Sequence, residues 1–226
     1  MDYLLPVLAG LTLGCIHAFD VDHITAVAAF TSRNPRPLQA ARFGIIWGFG
    51  HTTTLLLLGL LSIVFRFVIP PYIESTAEAM VGLLLIAIGI WILKDTFRRR
   101  RLHIHKHSHG GVEHVHLHSH ANATHHHHGH SMFLVGATHG FAGTASVMVV
   151  IPIAISQSIL FSALYLILFG IGTMLAMGLF GYLVGSVASK TGGARRLTIM
   201  QGIAGSASLL IGLVWLAETL SELTWL

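Results

Sequence analysis

The sequence predicts an all-α, polytopic membrane protein of about six transmembrane helices, in two inverted three-helix repeats joined by a His-rich loop. Three observations lead there. Of 226 residues, 54% are hydrophobic and only 10% charged, with a mean hydropathy of +0.74; a soluble domain carries about 25% charged residues. The few charges are gathered between apolar stretches, each of about the 20 residues a helix needs to cross roughly 30 Å of hydrocarbon. The two halves of the chain also share a spaced pattern of Gly, His and Trp.

Apolar length places spans near 4–30, 39–66, 76–94, 132–154, 158–187 and 197–217. The first, second and fifth are long enough to call for tilt or a broken helix. Asn34-Pro35-Arg36-Pro37 stops the first span, Pro70-Pro71 the second and Thr191-Gly192-Gly193 the fifth. No Lys or Arg precedes the first apolar run, so it lacks the basic n-region of a cleaved signal and reads as a span.

Charge sets the expected orientation. Twelve of the 13 Lys and Arg residues flank the first, third and fifth connections; Arg66 alone falls on the other side. The basic side is expected to be cytoplasmic, which puts both termini outside and the His-rich loop inside a multi-pass cell-membrane protein. The net charge of +4 thus carries a topological meaning, and nucleic acid is not an expected partner. The single cysteine, Cys15, excludes an intramolecular disulfide framework.

The repeat emerges when the halves are laid over each other. Gly14-Cys15-Ile16-His17-Ala18-Phe19 matches Gly136-Ala137-Thr138-His139-Gly140-Phe141, and Gly48-Phe49-Gly50 matches Gly170-Ile171-Gly172, both at an offset of 122. Gly82 and Gly89 match Gly205 and Gly212 at 123, each pair followed by a tryptophan, Trp91 or Trp215. Three spans per half is an odd number, so the second half must insert upside down, as in secondary transporters whose site lies between the halves. The expected division is 1–97 for the first repeat, 98–131 for the loop and 132–226 for the second repeat.

Only four of the 17 histidines lie outside the central loop: His17, His23, His51 and His139. All four fall in predicted spans, with Asp20 and Asp22. A charge at mid-bilayer costs about 2.5–3.5 kcal/mol even on the lenient insertion scale, and a cation is the economical partner. On an unbroken helix His17, Asp20 and His23, spaced by three, share one face. Asp22 would then point elsewhere unless the helix is unwound, so geometry leaves the choice of aspartate open. Imidazole with carboxylate suits Ni(II), Co(II), Zn(II) and Fe(II) better than Mg(II) or Ca(II). His51 and His139 are further candidate ligands, and Thr52, Thr53, Thr144 and Ser146 could hydrogen-bond the ligands or hold water.

The segment HAFDVDHI, His17 to Ile24, resembles the His-x4-Asp-His signature of the nickel/cobalt transporter family, with His17, Asp22 and His23 at the matching positions. The resemblance implies metal recognition by these three and tips the choice toward Asp22 over Asp20. WGFGHTTTLL resembles the second motif of that family and carries His51 and Thr52. The family's later acidic motifs are absent; GATHGFAGTAS instead resembles its short, urease-associated branch, which includes exporters. The exporter branch lacks the Asp directly before the second His, so the resemblance, with Asp22 in that place, implies uptake.

The loop holds His103, His105, His107, His109, His114, His116, His118, His120, His125, His126, His127, His128 and His130. Such a tract binds metal by composition, and with few apolar residues it is expected to be disordered and auxiliary to selectivity.

These features predict secondary transport of Ni(II) or Co(II), with the lipid bilayer and the transported ion as partners, no cofactor and no enzymatic activity. No phosphate-binding glycine loop is present, so no ATP is expected to be used; the oligomeric state is left open. Efflux by proton antiport is the alternative within transport. A membrane haem or redox protein with His axial ligands is the alternative of another class, disfavoured by the flanking aspartates and the His-rich loop.

Overall fold

A computed structural model describes residues 4–32, 36–65, 70–99, 105–109, 112–116, 128–141, 158–190 and 194–223. Seven helices lie in these residues: α1 (Leu4–His17), α2 (Val21–Thr31), α3 (Pro37–Phe65), α4 (Pro71–Arg99), α5 (His128–His139), α6 (Ile159–Lys190) and α7 (Ala194–Leu223). Two short strands, β1 (His105–His109) and β2 (Val112–His116), separate α4 from α5. Both α3 and α4 open on a proline, whose fixed φ suits the first helical turn and whose missing N–H costs nothing there.

Four helices, α3, α4, α6 and α7, are each long and apolar enough to cross a membrane, and α1 with α2 makes a fifth crossing if the bent pair is one span. Against the expected six, the described residues hold four such helices, or five with the bent pair. The missing one is the span near 132–154, of which α5 and its C-terminal turn are described, while 142–157 lie outside the described residues. Leu134, Leu175, Leu210 and Leu213 stand exposed on the helices. Such surface would be a liability in water and is ordinary against lipid.

The first span is broken. The axis turns by 61° between Leu8–His17 and Val21–Thr31, one of the two outcomes, tilt or break, that the length of this span called for, so the straight helix on which His17, Asp20 and His23 would share a face does not form. Phe19 N–H donates to Ile16 O and Asp20 N–H to His17 O, each at 3.0 Å, a tightened last turn. Asp20, extended at φ −58° and ψ 144°, is the N-cap of α2. The end of α5 repeats the turn: Gly140 N–H donates to Gly136 O and Phe141 N–H to Thr138 O.

Packing carries the sequence repeat into space. Helix α3 lies along α6, α4 along α7, α1 along α6 and α5 along α3. Gly14 abuts the backbone of Phe169, and Gly136, 122 residues on, abuts that of Trp47. A Cβ on Gly89 would fall 2.7 Å from Gly205 O, and one on Gly212 would fall 2.7 Å from Gly82 O. These glycines let backbones approach closely, which is how helices associate in lipid.

Within the loop, ten residues form the two strands. Strands β1 and β2 pair antiparallel, with His105 opposite His116 and His107 opposite His114.

Candidate metal centre

The break in the first span builds the site. His17 ends α1, Asp22 and His23 sit in the first turn of α2, His51 lies midway along α3 and His139 ends α5. All five are buried. The kink turns the start of α2 back so that His17 and His23, six residues apart, lie with ring centroids 4.6 Å apart. His51 completes a group: ligand nitrogens of His17, His23 and His51 all lie within 4.8 Å of one another. The His23 and His139 rings lie 5.8 Å apart, so the fourth intramembrane histidine borders the group from the second half of the chain.

Hydrogen bonds fix which nitrogens are available. His17 Nδ1 is 2.8 Å from Asp20 Oδ2, His23 Nδ1 is 3.1 Å from His17 O, and His139 Nδ1 is 2.8 Å from Val135 O. A carbonyl or carboxylate oxygen only accepts, so each Nδ1 donates, and in the neutral ring, the form that binds metal, each Nε2 keeps its lone pair. An outer partner that fixes the tautomer in this way is the usual setting of a metal-binding histidine. His17 Nε2 lies 3.1 Å from His51 Nε2; with the lone pair on His17, His51 donates. His51 Nδ1 and His139 Nε2 are buried with no hydrogen-bond partner among the described residues. A buried, unsatisfied nitrogen is costly, and an ion is one way to satisfy it.

The two aspartates differ. Asp22 is buried, its Oδ2 3.5 Å from His23 Nε2, on the lone-pair side of that ring. Asp20 keeps 40% of its side chain accessible and reaches back to the far nitrogen of His17. Carboxylate oxygens of both lie within 4.8 Å of a His23 nitrogen and of each other.

Thr52 and Thr53 have other engagements. Thr52 Oγ1 donates to Gly170 O at 3.3 Å, tying α3 to α6, and the exposed Thr53 donates to Phe49 O at 2.7 Å. Thr144 and Ser146 lie outside the described residues, as do His103, His118, His120 and His125–His127. Trp47 was not among the residues the sequence singled out. It stacks on His51 at 5.3 Å with planes 10° apart and meets His23 edge-on at 4.7 Å and His139 at 5.4 Å. Its position four residues before His51, on the same helix face, was the available signal. Phe169, at the matching place in the other half, lies against His17 at 5.2 Å.

Residues 23–214 match the family profile described as "Cytochrome C biogenesis protein transmembrane region". The urease accessory protein UreH of Bacillus sp. (strain TB-90) is 30% identical over 82% of this chain and 78% of its own length. A candidate nickel/cobalt efflux system of Methanocaldococcus jannaschii is 28% identical over 97% of this chain and 95% of its own. The Arabidopsis thaliana chloroplast protein FOR GROWTH AND FERTILITY 1 is 25% identical over 78% of this chain, which spans about half that protein's length (48%). No solved structure matches the chain. The chain therefore belongs to the membrane family described by the cytochrome c biogenesis transmembrane region, and within it to the group that holds the urease accessory protein UreH and the nickel/cobalt transporters.

Proposed function

We propose that the chain is a secondary transporter of a divalent transition-metal ion, Ni(II) or Co(II), and that the ion binds in the buried histidine group. The observation that carries this is the convergence of His17, His23 and His51 nitrogens within 4.8 Å, beside a buried carboxylate, in helices otherwise built of apolar residues. His17, His23, His51 and Asp22 are the proposed ligands, with His139 the candidate to join or receive the ion from the second half. Asp20 is assigned a positioning role: its bond to His17 Nδ1 holds Nε2 toward the ion. Three nitrogens and one oxygen suit Ni(II) and Co(II) better than harder cations.

Uptake is the favoured direction. A divalent ion entering a compartment 100 mV negative gains about 4.6 kcal/mol, a gradient on the order of 10³-fold, without ATP. In this orientation the basic connections and the His-rich loop face the cytoplasm and the termini face outward. The name of the archaeal relative supports the second reading, efflux. Proteoliposomes loaded on one side with Ni(II) or Co(II), under an imposed potential, test both. Potential-driven entry that is lost in His23→Ala supports uptake through this site. Transport that survives both His17→Ala and His23→Ala would refute the site.

A further inference from the structure

We infer that Gln201 is a positioning residue for the ion: it anchors the far end of α2, whose first turn carries Asp22 and His23, to the α4–α7 pair. The inference rests on the reading of the buried histidine group as the ion site. The break at Ala18–Asp20 joins α2 to α1 only through a short non-helical link, so the chain itself does not fix the tilt of α2. What holds it is packing from the other side of the bundle. Helix α1 lies along α6, whereas α4 and α7 lie along each other and meet the other described helices chiefly through α2. Ala26 of α2 packs with Ala77, Val81 and Leu85 of α4. The histidines and carboxylate of the site thus fall into two groups. His17, His51 and His139 belong to α1, α3 and α5, and Asp22 with His23 to a helix held by α4 and α7.

The anchor is polar and sealed. Gln201 Nε2 donates to Ser32 O at 3.1 Å; Ser32 is the C-cap of α2, where carbonyls have no partner within the helix. A carbonyl only accepts, so the amide nitrogen must face Ser32, and the amide oxygen turns to Thr96 of α4. The Thr96 hydroxyl, 2.8 Å from Ile92 O, lies 3.4 Å from Gln201 Oε1. One side chain of α7 thereby joins the ends of α2 and α4. Ser32, Thr96 and Gln201 are each at most 4% exposed, so a carbonyl that loses its donor here has no ready access to water. Helix α2 has 11 residues and is about 16 Å long, a stiff lever from Ser32 to the site. Metal ligands need placing to about 0.5 Å, so a shift at one end is felt at the other.

Trp47 stacks on His51 and borders His23, so quenching by added Ni(II) that disappears in Trp47→Phe reports the buried group. The midpoint of that quenching is compared among variants of the full-length protein in detergent. Gln201→Met keeps the length of the side chain and removes both polar ends. Its midpoint is expected to rise about 2- to 30-fold, the range that coupling through packed helices spans. Ser208→Ala is the control: Ser208, fully buried, donates to Leu85 O at 2.8 Å, a bond between the same α4 and α7 that does not touch α2. Both variants should melt at lower temperature than the parent, and only Gln201→Met should move the midpoint. An unmoved midpoint in Gln201→Met, or an equal rise in Ser208→Ala, would overturn the anchor. Should Gln201→Met fail to fold, Thr96→Val against Thr96→Ser decides. The valine, which lacks the hydroxyl, should raise the midpoint, and equal midpoints would count against the anchor in the same way. His23→Ala separates this outcome from that of the ion site. A midpoint unchanged in His23→Ala refutes the site and the anchor with it, whereas quenching lost there and unmoved in Gln201→Met refutes only the anchor.

Discussion

Asp20 Oδ2 lies 2.8 Å from His17 Nδ1, across the break that separates α1 from α2. Asp20 caps α2, yet its side chain makes no capping hydrogen bond. The carboxylate is instead spent on orienting a histidine. Asp20→Asn keeps an oxygen that can accept from Nδ1, so it should retain most metal affinity. Asp20→Ala should lose about 10–100-fold, the usual cost of removing an outer partner of a ligand. Asp22→Asn, which removes a proposed ligand charge, should lose more than Asp20→Asn. Calorimetry on the three variants decides it: equal losses in Asp20→Asn and Asp20→Ala would make Asp20 a ligand.

Trp47 offers a built-in reporter. Its ring stacks on His51 and borders His23 and His139, and it is one of four tryptophans. Co(II) or Ni(II) in the buried site should quench part of the intrinsic fluorescence, and Trp47→Phe should remove that response. Quenching of the same size in Trp47→Phe would place the ion elsewhere.

Gly136 is where α5 meets α3. A Cβ there would collide with the backbone carbonyl of Trp47. Gly136→Ala should therefore push α5 outward, carry His139 away from His23, and cost about 1–3 kcal/mol, as overpacking does. Gly202, which has nothing within 4 Å of an added Cβ, is the control; Gly202→Ala should leave the melting temperature close to that of the parent. Equal melting temperatures for both variants would contradict the close approach.

Metal and protons compete for the same imidazole nitrogens, because only the neutral ring binds. Lowering the pH from about 7.5 to about 5.5, through the range in which histidine ordinarily titrates, should weaken binding; raising it should restore it. Proton release on Ni(II) addition, measured in weakly buffered detergent solution, gives the same sign. Affinity that rises in acid would exclude histidine ligation.

Much of the fold was legible in the sequence because lipid imposes one-dimensional rules. A span is a length of apolar residues, and prolines stop helices where no donor is needed. Pro37 and Pro71 do mark the starts of α3 and α4. The repeat was legible too, since close helix crossings demand glycine, and Gly14 and Gly136 recur at the same offset as their contacts.

By itself the sequence determined that the chain is a bundle of membrane helices, and it singled out His17, Asp20, Asp22, His23, His51 and His139 as candidate metal-site residues, because charge and imidazole inside an apolar span are costly without a partner. Only the tertiary structure decided how these groups meet. A period of 3.6 residues put His17, Asp20 and His23 on one face of a straight helix. The 61° break replaced that face with a buried cluster, set Asp20 against His17 Nδ1 and brought Asp22 in beside His23. The approach of His51, Trp47 and His139 was decided by glycine contacts between helices far apart in the chain, and such distances are set by packing rather than by spacing along the sequence.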